Sequence, residues 1–258
     1  MAPHAEGPPG PDWYDEARVY DVLFSWDPAT ERDFVLGASA RYGRGAPAAV
    51  LEPFCGTGRL LRGMPGLAVG FDRSAAMVRF ARRTCPGAFQ ADAAAPPLAD
   101  ERFDLAYCLI DSFRHLLTEA AARRHLDGVA RALRPGGVHV LGLDVSGGLD
   151  QAGSTETWSR ERGGLRVQGD VSCVGDADPV RRLETMRVVL TIAEGKQRRT
   201  VESRAPLRTY TAAQLRSLVA SVRPALEVVA TFDRRYDLSC TKPLEAIDGS
   251  AVLVLRRA

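Results

Sequence analysis

One stretch constrains this chain more than any other: a strand ending in an acid, a glycine-rich turn, and a second strand ending in another acid. Ala48-Ala49-Val50-Leu51 is a short apolar strand that stops at Glu52 and leads through Pro53-Phe54 into Cys55-Gly56-Thr57-Gly58. A helix is predicted through Arg59-Leu60-Leu61, and Leu67–Phe71 is a second strand stopping at Asp72. Glycines at the first strand–helix turn let the backbone approach a ligand, and the helix start offers unpaired N–H groups. An acid at the second strand end, fourteen residues after Gly58, can accept hydrogen bonds from a ribose diol. In that way α/β sheets hold an adenosine in the crevice beyond their strands.

Two phosphate-binding readings fail on the same stretch. A dinucleotide-binding turn needs a third glycine where this chain has the bulky Leu61, and no Gly-Lys-Ser/Thr follows to make a phosphate loop. A ligand without phosphates, carrying adenosine and an amino-acid end, suits the remaining glycines and Glu52.

The strand–helix alternation continues. Ser74 is positioned to cap a helix running to Thr84, and Gly87–Gln90 is a weak third strand before Asp92. Phe103–Ile110 is a buried fourth strand, Thr118 opens a long helix to Leu133, and Val138–Leu143 follows Arg134-Pro135-Gly136-Gly137 as a fifth. Such alternation implies βαβ units and a parallel sheet. Beyond about Ser154 the texture changes to alternating segments, Leu165–Val174, Arg181–Ile192 and Arg198–Arg208, separated by glycine-rich breaks, which read as an antiparallel meander. Helical spacing returns over Thr211–Val222, and two strands, Leu226–Phe232 and Ala251–Leu255, finish the chain. Before the first strand, Asp12–Tyr42 reads as short amphipathic helices broken at Asp27-Pro28, after a Pro- and Gly-rich tail over 1–11.

These observations predict a doubly wound α/β fold with a mainly parallel sheet. The predicted organisation is a tail (1–11) and one domain (12–258) made of a helical lid (12–45), a cofactor-binding core (46–150), an antiparallel insertion (152–208) and the C-terminal end of the sheet (209–258). The 258 residues exceed what such a core needs, and the lid and meander account for the surplus. A formal net charge of +2 argues against a nucleic-acid or membrane-surface partner. Five widely spaced cysteines without a Cys-x-x-Cys pair argue for reduced thiols in a cytoplasmic protein. No apolar run approaches the ~18 residues that would span a bilayer. His4, His125 and His139 form no spaced metal set, so no metal is predicted. The arginine excess, 32 against two lysines, reads as coding bias.

Val50-Leu51-Glu52-Pro53-Phe54-Cys55-Gly56-Thr57-Gly58-Arg59-Leu60 resembles the first motif of the class I S-adenosylmethionine-dependent methyltransferases. Phe71-Asp72 resembles their ribose-binding acid, and Ala91-Asp92-Ala93 with Pro97-Leu98 and Phe103-Asp104 resembles the segment whose acid meets the adenine amino group. Leu133-Arg134-Pro135-Gly136-Gly137 resembles the turn before their fifth strand. The four motifs keep order and spacing over roughly 50–145. The chain departs from the family at Phe54, where glycine is usual, so the turn is either re-routed or Phe54 packs beneath it.

The resemblance implies a Rossmann-like sheet of seven strands with the last antiparallel, and S-adenosyl-L-methionine as cofactor, bound by Tyr20, Glu52, Phe54, Cys55, Gly56, Thr57, Gly58, Asp72, Arg73, Met77, Asp92, Ala93, Cys108 and Leu109. Glu52 is expected toward the cofactor amino group, and Cys55 serves as a small turn residue rather than a nucleophile. Tyr14 and Tyr20, in the spaced pairs Tyr14-Asp15 and Tyr20-Asp21, resemble the lid of small-molecule N-methyltransferases, with amphipathic packing as the alternative. The fourth strand's end, Asp111-Ser112-Phe113-Arg114-His115, should border the acceptor. His115 is the candidate general base, against a simple packing role, and Tyr14, Asp111, Arg114, Arg208 and Tyr210 are the candidate acceptor contacts. The implied activity is methyl transfer to a small-molecule N or O acceptor by in-line displacement. A homodimer is left open. A nicotinamide-dependent oxidoreductase, which Leu61 disfavours, and a non-catalytic binding protein of the same fold are the rival readings.

Overall fold

A computed structural model describes residues 12–145 and 155–258. The predicted tail over 1–11 and the boundary between core and insertion near 150–152 lie outside the described residues.

Seven strands form one sheet: β1 (Ala49–Pro53), β2 (Leu67–Asp72), β3 (Ala88–Gln90), β4 (Phe103–Cys108), β5 (Leu133–Asp144), β10 (Leu226–Asp233) and β11 (Ser250–Arg257), in the order β10-β11-β5-β4-β1-β2-β3. The ladders joining β1 to β2 and β4, β2 to β3, and β4 to β5 are parallel. Only β11 runs against its neighbours, β5 and β10. From β1 the chain winds outward to β3 and then returns to build β4 and β5 on the other side. This reversal opens a crevice beyond the carboxyl ends of β1 and β4.

Side-chain alternation divides the core between the two faces of the sheet. Leu51, Ala106, Leu141 and Leu253 pack with α4 (Glu119–Ala132) and α5 (Ala212–Ala220). Val50, Tyr107, Val140 and Val252 share the opposite core, into which α2 (Ala29–Tyr42) sends Phe34, Val35 and Ala38. Every residue of β4 is buried, as a central strand covered on both faces must be. Local caps set the helix starts. Ser74 Oγ accepts from Met77 N at the head of α3 (Ala75–Ala81), Thr118 accepts from Ala121 N, and Thr211 forms a capping box with Gln214.

Three expectations need correction. The helix predicted through Arg59–Leu61 shrinks to one 3-10 turn, Leu61–Gly63, because Gly63 propagates a helix poorly and Pro65 disfavours the α conformation at Met64. The turn at Arg134–Gly137 is a bulge inside β5, since Phe103 pairs Leu133 while Leu105 pairs Val138. The meander has four strands, not three: β6 (Thr155–Arg162), β7 (Leu165–Asp178), β8 (Leu183–Glu194) and β9 (Gln197–Arg208), paired in that order. The extra strand, Thr-Glu-Thr-Trp-Ser-Arg-Glu-Arg, is an edge strand exposed along almost its whole length, so it carries no apolar alternation.

The second sheet turns one face toward α1 (Ala17–Leu23), where Leu165, Val167, Val188, Leu190 and Ile192 meet Trp13, Val19, Val22 and Leu23. Gly169 permits the close approach, since a Cβ there would stand 2.9 Å from Leu23 Cδ2. Polar contacts fix the register. Trp158 Nε1 donates to Leu23 O at 3.2 Å, Arg18 pairs with Glu194, Arg199 pairs with Glu16, and buried Asp21 pairs with both Arg62 and Arg162. Among the described residues no helix is long and apolar enough to cross a membrane.

Candidate active site

The carboxyl ends of β1, β2, β4 and β5 open into a cavity of about 1110 Å³, closed over by the N-terminal segment and by β6–β9. Ligand cavities commonly span roughly 300–1,000 Å³, so this one has room for two small molecules side by side.

On one side stands the glycine-rich turn. Phe54, Gly56 and Gly58 adopt left-handed φ values of 58°, 52° and 75°. Phe54 thus takes a left-handed backbone, which glycine adopts freely and phenylalanine only under strain. Its ring lines the cavity and also meets His125 at 5.4 Å between centroids. The turn is pinned by Cys55 N donating to Phe71 O at 2.9 Å and by Gly58 N donating to Cys55 O at 2.8 Å.

Asp72 organises this side. Its Oδ2 accepts from Gly56 N at 3.0 Å and its Oδ1 from Ser74 N at 2.8 Å. Burial raises its pKa, and the N–H groups of Ser74 and Gly56 oppose that rise. Each carboxylate oxygen keeps accepting capacity beyond its one backbone bond, and the residue lines the cavity. A Cβ on Gly56 would meet only the Tyr20 ring, at 3.8 Å. The donor–acceptor set and this open space fit a ribose diol and its nucleoside. Arg73, Asp92 and Ala93 continue the same wall.

Leu61 resolves the question of a third glycine. A Cβ on Gly70 would lie 2.7 Å from Leu61 Cδ2 and 2.8 Å from Cys55 Cβ. The close packing that a dinucleotide-binding turn obtains from a helix glycine comes here from a strand glycine, with Leu61 filling the space.

Several residues expected at the cofactor lie beneath the cavity rather than along it. Cys55, Thr57, Met77, Cys108 and Leu109 are buried and, with Glu52 and Gly58, are not among its lining residues. Glu52 Oε2 accepts from Tyr107 OH at 3.0 Å, and burial pushes its carboxyl to about 8. It points into the layer under the turn because β1 alternation sends it toward Tyr107. Burial also raises the Cys55 thiol well above its usual range, consistent with a turn residue and not a nucleophile.

Across the cavity, Tyr14 OH lies 2.9 Å from His115 Nε2, and Ser74 Oγ donates to Tyr14 O at 3.0 Å. Trp13, Tyr14, Tyr20 and Phe24 form an aromatic cluster, with Trp13 tilted on Tyr14 at 4.8 Å and Tyr20 stacked on Phe24 at 4.3 Å between centroids. Burial, with Arg114 and Arg73 nearby, pushes His115 down to about 4. Its imidazole is therefore neutral, suited to orienting a hydrogen-bonding acceptor rather than storing a proton.

Arg114 also reaches the cavity, but the protein already engages its guanidinium. Nε donates to Arg208 O at 2.9 Å, Nη2 binds Glu184, and Nη1 lies 3.6 Å from Asp111 Oδ2. It braces β8 and β9 against the end of β4. Asp111 lines the cavity at φ 62°, next to Ile110 at φ 57°, and its Oδ1 accepts from Asp144 N at 2.7 Å.

Arg208 and Tyr210 require correction. Both are buried and neither lines the cavity. Arg208 Nη1 donates to Leu117 O at 3.0 Å, and the Tyr210 ring packs on Phe113 at 5.8 Å, so they support the wall from behind. Sequence reasoning missed Trp13, Trp158, Cys173, Met186 and Arg234, which do line it. Trp158, a lone aromatic in a charged strand, was the one available signal. Among the described residues no cluster of metal-ligating side chains occurs.

Residues 50–137 match the family model of a methyltransferase domain. No curated protein sequence matches the chain. Solved structures do. An S-adenosylmethionine-dependent methyltransferase from Clostridium acetobutylicum is 16% identical, with a TM-score of 0.70 over 95% of this chain and 99% of that one. The amino pentose methyltransferase CalS10 from Micromonospora echinaspora, solved with S-adenosylmethionine bound, is 21% identical, with a TM-score of 0.66 over 96% and 93%. The sugar N-methyltransferase KedS8 from Streptoalloteichus is 21% identical, with a TM-score of 0.70 over 100% and 97%. The chain shares their fold, which in this chain is a Rossmann-like seven-stranded sheet with an additional antiparallel sheet.

Proposed function

We propose that this chain, which carries a methyltransferase domain over residues 50–137, transfers a methyl group from S-adenosylmethionine to a nitrogen or oxygen of a small molecule. The carrying observation is the arrangement of Asp72 beside the left-handed Phe54–Gly58 turn, at one end of a cavity large enough for a second ligand. Asp72 would hold the ribose, Asp92 and Ala93 the adenine end, and Tyr20, Phe54 and Gly56 the space beside the turn. When bound, the cofactor supplies a methyl group already activated by the positive charge on sulfur.

The chain's own work is then orientation and exclusion of water. Proximity alone accounts for a large share of the barrier when the acceptor is held in line. Tyr14 and His115 offer a neutral hydrogen-bonding pair to the acceptor, and Asp111 offers a carboxylate. Trp13, Tyr20 and Phe24 cover the reacting end. The fold neighbours that methylate sugars favour a small polar acceptor, and the cavity mixes aromatic walls with acids in the same sense.

Titration calorimetry tests the reading. S-adenosylmethionine and S-adenosylhomocysteine should bind, and NADH should not. Binding of NADH with neither of the others would replace it with an oxidoreductase.

A further inference from the structure

His125 lies on α4, fully buried, behind the cavity rather than in it. Its Nδ1 is 2.8 Å from Ala93 O. A carbonyl oxygen only accepts, so Nδ1 carries the proton and donates it. Nε2 is buried with no hydrogen-bond partner among the described residues, which leaves the neutral Nδ1–H tautomer as the form this surrounding accommodates. The same ring touches two further elements of the site. It meets the Phe54 ring at 5.4 Å and the Phe113 ring at 5.7 Å between centroids. Phe113 belongs to the 3-10 segment Ser112–His115, which also presents His115.

The loop that receives this hydrogen bond carries Asp92 and Ala93 along the cavity wall. Asp92 Oδ1 accepts from Ala94 N at 2.9 Å, and Asp92 O accepts from Ala95 N at 3.1 Å, so the loop closes a tight turn of its own. Ala91 N donates to Asp72 O at 3.1 Å where the loop leaves β3, and α4 holds it farther along. Besides His125, Arg124 Nε donates to Ala94 O at 3.3 Å, and Gly128 leaves room for Pro96, whose Cγ would stand 2.7 Å from a Cβ at that position. Of the two hydrogen bonds from α4, the one from His125 is buried from solvent and the one from Arg124 is exposed; a buried hydrogen bond is the stronger, and its loss leaves a buried carbonyl unpaired.

We infer that His125 is a positioning residue for the nucleoside end of the cofactor: its Nδ1–H holds the Asp92–Ala93 loop in binding register, while its ring supports Phe54 from behind. This rests on the function proposed above. The side chain touches no ligand itself and acts through Ala93 and Phe54.

The test compares three proteins by titration calorimetry with S-adenosylhomocysteine and with adenosine. His125→Leu fills the volume without a donor, and His125→Asn places an amide nitrogen where Nδ1 stands. The leucine variant should lose about fivefold in affinity for both ligands, the scale of one neutral hydrogen bond, and the asparagine variant should stay within about twofold of the parent. Equal losses for adenosine and S-adenosylhomocysteine place the defect at the nucleoside end. A generic packing role would instead lower the thermal midpoint of both variants without separating their affinities, and that result overturns the inference, as does unchanged affinity in His125→Leu. If the leucine variant does not fold, His125→Gln takes its place, since its amide reaches the Nε2 position and not Nδ1. Equal affinities for the glutamine and asparagine variants then overturn it. Failure of the parent protein to bind S-adenosylhomocysteine would count against the proposed function instead.

Discussion

Tyr14 and His115, 101 residues apart in the chain, meet at 2.9 Å between the phenol oxygen and Nε2. Burial holds the imidazole at about 4, below the usual histidine range, so it stays neutral until the pH falls that far. The profile of kcat/KM should therefore carry no inflection from this residue between about pH 5.5 and 8, and an acid limb should begin only near pH 4. Tyr14→Phe removes one neutral hydrogen bond and should lower kcat/KM about fivefold. An acid limb centred near pH 6.5 that disappears in His115→Asn would show an imidazole that titrates like an exposed one.

Asp72 holds two backbone N–H groups and faces the cavity. Asp72→Ala should weaken S-adenosylhomocysteine by tenfold or more, since charge-assisted hydrogen bonds are worth about 1.5–3 kcal/mol. It should also lower the thermal midpoint, because Gly56 N and Ser74 N lose their acceptor. Calorimetric affinity equal to the parent's would remove Asp72 from the ribose role.

Phe54 keeps a φ of 58°, where a Cβ costs about 1–2 kcal/mol. Phe54→Ala loses the ring and keeps that penalty, whereas Phe54→Gly loses the ring and relieves it. The glycine variant should be the more stable of the two by roughly 1 kcal/mol in urea unfolding. The opposite order would mean that the left-handed turn does not persist once the ring is gone.

His139 sits on β5 and is fully buried, and burial together with His125 pushes its pKa down to about 3. A depressed histidine pKa means that the unfolded chain binds the extra proton, so stability is complete above about 6.5 and declines as the pH falls below it. His139→Leu removes that proton uptake. Relative to the parent, the leucine variant should gain about 2 kcal/mol in unfolding free energy between pH 7 and pH 5. A difference independent of pH would show that His139 finds a proton-compatible partner in the folded state.

The parts of this protein that were legible in its sequence are those written over a few neighbouring residues. Ser74, Thr118 and Thr211 each cap a helix through a backbone N–H three residues ahead. The near-continuous apolar runs of β1, β4 and β11 require a sheet covered on both sides, and the acid–turn–strand–acid spacing brings Asp72 to Gly56. Where such short-range signals are weak, sequence and structure part. β6 is exposed along almost its whole length and so shows no period, and Gly63 and Pro65 stop the helix expected through Arg59–Leu61.

Tertiary structure alone decided the rest. Arg208 and Tyr210 are expected to face the acceptor, and their contacts with Leu117 and Phe113 hold them behind the wall instead. The joining of Tyr14 to His115, of Arg114 to Glu184, and of His125 to the Ala93 carbonyl links residues 101, 70 and 32 positions apart. Periodicity determines that a side chain faces inward. It carries no record of which distant partner will be there, because that depends on how separately specified elements dock, and their docking angles are set by the whole core rather than by any one segment.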